Sequence, residues 1–243
     1  MQTLSLEGRG VRSVESQSKV ATLDLVDTLE EQRILEEMIE ETKGPALPQG
    51  IHYLISTPLC RYPPLLYGSR YGARTEPGIF YGSERVETAM AETAFYKLRF
   101  VADSDGLSEL PPMTMMTFTF EYRTRHAHDT TSAEYDGQRA KIDAPSDYAH
   151  TQGIGSKARA AAVELIRFRS VRDPKGGANL AIFSLDALGP QPLDMTYWQL
   201  KIRQDRVDIL ERDRSIDPGR YTFSVDEFKA RGAWAHPSVT SPE

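Results

Sequence analysis

The sequence predicts a single α+β domain. Two helical patterns fall in the front half of the chain, and short β-branched or alternating stretches crowd the back half. No segment repeats. A length of 243 residues, with 40% hydrophobic and 26% charged, suits one globular domain with a sizeable core.

Taken in order, residues 1–20 are polar, with Gly8, Gly10 and several serines, and are expected to be flexible. Residues 24–43 (DLVDTLEEQRILEEMIEETK) read as a helix, and Gly44-Pro45 stops it, so an acidic N-terminal helix is expected within 21–44. Leu25, Val26, Leu29, Leu35, Met38 and Ile39 make its broken apolar stripe, while Glu30, Glu36, Glu37, Glu40 and Glu41 crowd the outside. Such a run is a solvated face or a docking helix for a basic partner. Ile51–Ile55 (IHYLI) is β-branched and aromatic and reads as a buried strand stopped by Pro58.

Arg61–Phe100 organises the chain. It passes from a proline-rich turn through a Gly- and Arg-rich loop into a short strand, Ile79-Phe80-Tyr81, and then a helix. Ser83 is a good N-cap type, Glu84 suits the first turn, and no glycine or proline interrupts Glu84–Phe100. Val86, Ala89 and Met90 form the apolar stripe, with Glu92 at its edge. Asp103–Pro112 reads as a turn-rich linker and residues 115–122 as an alternating strand. Asp129–Asp143 reads as a polar loop. Asp147–Arg167 reads as a helix with Ala158, Ala161, Ala162, Leu165 and Ile166 as its stripe. Phe168–Val171 is extended, and Asp173-Pro174-Lys175-Gly176-Gly177 is a tight turn. Asn179–Ser184, Thr196–Ile202, Arg206–Leu210 and Arg220–Val225 follow as strands. The tail, 233–243, is expected to be loose.

Charge and cysteine content narrow the function. The net charge is -6, of which residues 1–43, with ten acids and five bases, carry -5. A nearly neutral body argues against a general nucleic-acid binder, whose affinity rests on neutralising phosphates. Cys60 is the only cysteine, which excludes an intrachain disulfide and a Cys-rich zinc site. There is no signal-peptide core and no membrane-length apolar run, so a soluble cytoplasmic protein is expected. His126 and His128 occupy same-face strand positions suited to a metal, but no third ligand has recognisable spacing.

Arg70, Tyr81 and Glu92 follow one another at intervals of eleven residues. A guanidinium suits a diphosphate, because its planar fork makes bidentate charge-assisted bonds. An aromatic ring offers a surface to a planar heterocycle. A carboxylate stabilises a positive sugar carbon. The three together fit NAD+, which has a diphosphate, an aromatic cation and a breakable N-glycosidic bond. Each residue also has a plain reading, as a surface arginine, a core tyrosine and a solvated glutamate.

The stretches GSRYG, TEPGIFYGSERVETAMAE and IRFRSVRDPKGGANLAIF, in that order, resemble the RES domain, with the likeness running from about Ile51 to Leu210. The closest subgroup is the ParT-like toxins, whose arginine motif reads Gly-Ser-Arg-aromatic. The resemblance implies a toxin of a RES–Xre toxin–antitoxin pair, a RES domain over about 45–232, and a fold similar to ADP-ribosyltransferases with NAD+ between two small sheets. It matches Arg70 to the family arginine, Tyr81 to the tyrosine before the helix, Glu92 to the glutamate and Ser170 to the serine. Asn179 falls where the family often has an asparagine. The gap from Arg70 to Tyr81 is one residue longer than in the Gly-Gly-Arg-Trp-Asn group, so Arg74 is the alternative arginine. The fold resemblance makes His52, on its expected strand, a ribose contact; its plain reading is a core histidine. Arg61 is a further phosphate candidate, or simply a turn arginine.

The mechanism implied is loss of nicotinamide, with Glu92 steadying the ribosyl cation and Ser170 ordering Glu92 or the ribose. The family allows a protein acceptor, phosphate or water, corresponding to an ADP-ribosyltransferase, an NAD+ phosphorylase or a glycohydrolase. The ParT-like likeness points to ADP-ribosyl transfer onto phosphoribosyl pyrophosphate synthetase, with an Xre-like antitoxin as the neutralising partner and no metal. Two readings from other classes are a non-enzymatic interaction module built on the acidic helix and a metal-dependent hydrolase built on His126 and His128.

Overall fold

A computed structural model describes residues 2–16, 25–42, 47–60, 68–214 and 216–235. Among the described residues, eight strands and six α-helices form one α+β domain. The strands are β1 (Leu4–Glu15), β2 (Phe80–Ser83), β3 (Glu109–Asp129), β4 (Leu165–Arg169), β5 (Ala178–Ile182), β6 (Leu193–Arg203), β7 (Arg206–Glu211) and β8 (Arg220–Ser224). The helices are α1 (Leu29–Thr42), α2 (Tyr53–Cys60), α3 (Val86–Ala102), α4 (Arg139–Ile142), α5 (Ala149–Ala160) and α6 (Val225–Ala230).

All eight strands belong to one sheet, ordered β1-β2-β5-β4-β3-β6-β7-β8, and β1 also pairs with β3. Five strands therefore close into a ring, β1-β2-β5-β4-β3, and β6-β7-β8 continue from β3 as an open wing. The closure is narrow at one point, where Val11 opposite Ser83 joins β1 to β2. Three buried clusters follow from this shape. Phe80, Phe118, Phe120, Leu165, Leu180 and Ile182 group in one. Met90, Phe95 and Leu98 of α3 pack on Trp198, Leu200, Ile202 and Phe223 of the wing. Tyr71, Ile154, Ala158, Ile166, Phe168 and Ala181 pack under α5.

Several expectations are corrected. The N-terminal segment is not flexible where described: Leu4–Glu15 pairs antiparallel with β3 along nearly its whole length. Its glycines are packing residues, since a Cβ at Gly10 would stand 2.4 Å from the Phe120 ring. The acidic helix begins at Leu29 because Thr28 and Glu31 cap it reciprocally, Thr28 Oγ1 accepting from Glu31 N–H and Glu31 Oε2 from Thr28 N–H. Its stripe is uncovered, with Leu29 and Met38 79% and 60% exposed.

Ile51–Ile55 is not a strand. A short apolar run carries no period, and here it opens α2, with Pro58 tolerated near the end of an eight-residue helix. The expected linker Asp103–Pro112 is turn only as far as Ser108, and Glu109–Pro112 already belong to β3. Pro111 and Pro112 sit where its register against β6 slips, a bulge that tolerates missing donors. The polar loop 129–143 contains a 3-10 turn, Ala133–Gln138, and α4.

The long helix 147–167 is in fact α5 followed by β4. Ala162 takes a left-handed conformation (φ 52°), and Val163 N–H bonds back to Ala158 C=O, which ends the helix without a glycine. The α3 helix starts two residues later than expected, after Arg85, and Ser83 belongs to β2. α6 was not anticipated; a capping box between Ser224 and Glu227 starts it. Residues 236–243 of the expected tail lie outside the described residues.

Gly155 lies inside α5, where a Cβ would meet the Tyr71 carbonyl oxygen at 1.8 Å. This contact holds α5 against the arginine loop. Gly155→Ala should lower the unfolding free energy in urea by about 3 kcal/mol; a loss of under about 1 kcal/mol would show that the contact does not constrain the fold.

Candidate functional site

Strand alternation gathers the site on one face of β2, β5 and β4. Tyr81 lies opposite Ala181, Ser83 opposite Asn179, and Phe168 opposite Asn179, so these side chains share a face. Ser170 follows just beyond β4. Glu92, half-buried on α3, comes down onto this face. Its Oε1 accepts from Ser170 Oγ at 2.7 Å and from Asn179 Nδ2 at 2.7 Å. Asn179 is oriented in turn by Ser83, whose hydroxyl donates to Oδ1 at 2.7 Å. Among the described residues, Oε2 takes no hydrogen bond and no ion pair.

The Ser170 hydroxyl is itself fixed, accepting from the backbone N–H groups of Arg172 (3.2 Å) and Asp173 (2.9 Å). Behind it Asp173 is fully buried. Its Oδ2 accepts from Thr88 Oγ1 (2.7 Å), Arg85 Nη2 (2.9 Å) and Gly177 N–H (3.0 Å), and its Oδ1 from Lys175 N–H (2.8 Å). Gly177 has to be glycine, since a Cβ would stand 2.0 Å from Thr88 Oγ1. Burial alone would raise the pKa of Asp173; the Thr88, Lys175 and Gly177 hydrogen bonds and the Arg85 charge outweigh it and hold it below the usual carboxylate range.

Arg70 is 8% exposed. Its Nη1 donates to the carbonyls of Ile142 (3.1 Å) and Ala144 (3.0 Å), and its guanidinium lies 4.5 Å from the Tyr148 ring centroid. Its buried Nη2 has no hydrogen-bond partner. Tyr81 holds the loop that carries Arg70. Its hydroxyl bonds Ser69 Oγ (2.9 Å) and accepts from Tyr71 N–H (3.0 Å), and its ring meets Phe168 edge-on. Burial pushes the Tyr81 phenol up to about 12, so it keeps its proton and acts as a strut.

The structure thus brings Glu92, Ser170 and Asn179 into direct contact and joins Tyr81 to Arg70 through the 69–71 backbone. No hydrogen bond or ion pair links Arg70 to Glu92. Arg74 is exposed in the turn after the buried arginine. His52 is not on a strand; it stands just before α2, where Nδ1 accepts from Leu54 N–H, and it touches none of Arg70, Tyr81 or Glu92. Arg61 lies outside the described residues. His126 and His128 differ in burial and partners. The register between β1 and β3 slips near them, leaving His126 exposed and His128 2% exposed and bonded to Tyr135. Among the described residues no cluster of three metal-ligating side chains occurs.

Two concavities, of about 540 and 430 Å³, are lined by none of Arg70, Tyr81, Glu92, Ser170 or Asn179; the first is lined by Tyr135, His150 and Lys157, and the second, beside the Asp173 turn, by Glu84, Arg85, Arg167 and Lys175. The Arg70 side of the site is occupied by the chain's own Ile142–Tyr148 segment. Sequence reasoning missed Arg172 and Tyr148. It saw the Asp173 turn without seeing that the carboxylate is buried.

Because the folded pKa of Asp173 is depressed, its contribution to stability is complete above the unfolded carboxyl value of about 4 and fades as pH falls through the lower folded value. Asp173→Asn should therefore flatten the acid side of a plot of Tm against pH between about 2 and 5. An unchanged acid slope would show that Asp173 is not the anchor.

The RES domain family profile matches residues 46–203. No curated protein matches the chain. The RES domain is associated with NAD-related toxins of toxin–antitoxin systems and is typically an NAD-utilising enzyme. No described helix is long and apolar enough to cross a membrane. With Glu92, Ser170 and Asn179 joined within that matched segment, and most of the chain inside it, this protein belongs to the RES domain family.

Proposed function

We propose that the chain cleaves NAD+ at the nicotinamide glycosidic bond and transfers ADP-ribose to a protein acceptor. The observation that carries this reading is the carboxylate of Glu92, held at Oε1 by two donors while Oε2 stays free for a ribose hydroxyl or a developing positive charge. The unpartnered, buried Nη2 of Arg70 is the donor that fits a diphosphate oxygen, and its neighbour Arg74 lies exposed.

In the reaction, the bond from ribose C1 to the nicotinamide nitrogen breaks, and its electron pair neutralises the departing ring. An oxocarbenium-like sugar remains. Glu92 stabilises that charge most where it is greatest, in the transition state. A side-chain nucleophile of the acceptor then bonds to C1 and releases a proton. Ser170 and Asn179 orient Glu92; the Ser170 hydroxyl donates to that carboxylate and accepts from two backbone N–H groups, which gives it an orienting role. Arg70 holds the diphosphate and Tyr81 holds the Arg70 loop. The ParT-like likeness supports phosphoribosyl pyrophosphate synthetase as the acceptor and an Xre-like antitoxin as the partner.

Labelled NAD+ incubated with the protein, with and without phosphate and with cell extract, should yield a labelled protein band. A labelled sugar phosphate or free ADP-ribose as the sole product would replace transfer by phosphorolysis or hydrolysis. Glu92→Gln should lower NAD+ turnover about 10²–10³-fold with an unchanged circular dichroism spectrum, and turnover surviving that change would overturn the assignment.

A further inference from the structure

The site contains a second buried guanidinium, that of Arg172. Arg172 is 2% exposed, and among the described residues no carboxylate forms an ion pair with it. Its Nη2 donates to Pro145 C=O at 2.8 Å and to Tyr148 Oη at 3.3 Å. Its guanidinium lies 4.4 Å from the Phe95 ring centroid, and its Nε is buried without a partner. Removing a charge from water without a bonded counter-ion is unfavourable, so the groups around the guanidinium must compensate. Burial opposes the charge of Arg172, and the nearby Glu92, Tyr148 and Tyr96 outweigh it.

Tyr148 is where the two arginines meet. Its ring lies against Arg70 and its hydroxyl accepts from Arg172. Arg70 grips the carbonyls of Ile142 and Ala144, and Arg172 grips that of Pro145, so both guanidinia clamp the same short segment, which ends at Tyr148. On the other side, Arg172 N–H donates to the Ser170 hydroxyl that holds Glu92. One continuous chain of contacts thus runs from Arg70 through Tyr148, Arg172 and Ser170 to Glu92.

We propose that Tyr148 is a positioning residue serving both ends of the site, its ring holding Arg70 for the diphosphate and its hydroxyl holding Arg172 behind the Ser170–Glu92 pair. The kinetic part of this inference rests on the NAD+ reading; the geometric part does not. It assigns separate tasks to two parts of one side chain, and each can be removed alone. Tyr148→Phe keeps the ring and deletes the hydroxyl. Tyr148→Leu deletes both.

The test uses the full chain with three readouts: kcat and KM for NAD+, affinity for inorganic pyrophosphate as the probe of Arg70, and the side-chain Nε–H resonances of Arg70 and Arg172. Tyr148→Phe should lower kcat about tenfold, the effect of one hydrogen bond to a charged group, with KM and pyrophosphate affinity within about twofold of the parent. Tyr148→Leu should also weaken pyrophosphate and raise KM about tenfold. Tyr148→Phe should shift the Arg172 resonance alone, and Tyr148→Leu both. A purely structural tyrosine would show neither split, and equal effects of the two variants in every readout would overturn the proposal. If the parent protein turns over no NAD+, the functional reading fails by itself. The resonances then decide: unmoved signals in both variants overturn the role of Tyr148, and the stated pattern sustains it.

Discussion

The structure depends on one buried carboxylate, that of Asp173. It is removed entirely from water and takes up bonds from the first turns of α3, through Arg85 and Thr88, and from the turn between β4 and β5, through Lys175 and Gly177. Through these bonds the helix that carries Glu92 and the turn that carries Ser170 become one rigid body. The site geometry follows. Ser170, pinned by two backbone N–H groups of its own turn, can present its hydroxyl only to Glu92. Asn179, on the strand that leaves the turn, supplies the second bond. An acid anchored this firmly spends no reorganisation energy when a positive charge appears beside it, which is the property electrostatic catalysis requires.

The folding pattern explains why this anchor is needed. The ring of β1-β2-β5-β4-β3 and the wing of β6-β7-β8 share only β3, and α3 packs on both. Apolar packing seats this helix on the wing, and the polar bonds from its N-terminal end to Asp173 fix it to the turn after β4 as well. The arginine loop is pinned separately, by the Tyr81 hydroxyl and by α5 against the Tyr71 carbonyl. The two pins meet at Tyr148, which explains how residues separated by more than a hundred positions in sequence can act as one site.

Much of this was legible in the sequence, and the failures have particular causes. Arg70, Tyr81 and Glu92 could be named from residue type and spacing, whereas Ser170 and Asn179 could be named only through the resemblance of their stretch to the RES domain. His52 was misplaced because the five-residue run Ile51–Ile55 carries no period, and only the surrounding packing decides between helix and strand. β1 looked like a polar tail because its glycines, Gly8 against Tyr122 and Gly10 against Phe120, read as flexibility when those rings are unseen. The break between α5 and β4 was invisible because an alanine, not a glycine, adopts the left-handed turn. Arg172 and Tyr148 could not be found at all, since their roles arise only when the Ile142–Tyr148 segment folds over the sheet.

The central claim is that Glu92 and Arg70 serve the two ends of one dinucleotide. The measurement that tests it most directly is a crystal structure of Glu92→Gln with NAD+ bound. The account predicts the nicotinamide ribose within about 4 Å of the residue 92 side chain and a diphosphate oxygen on Arg70 Nη2. NAD+ bound in another part of the molecule, with Arg70 still holding only its own backbone carbonyls, would contradict it.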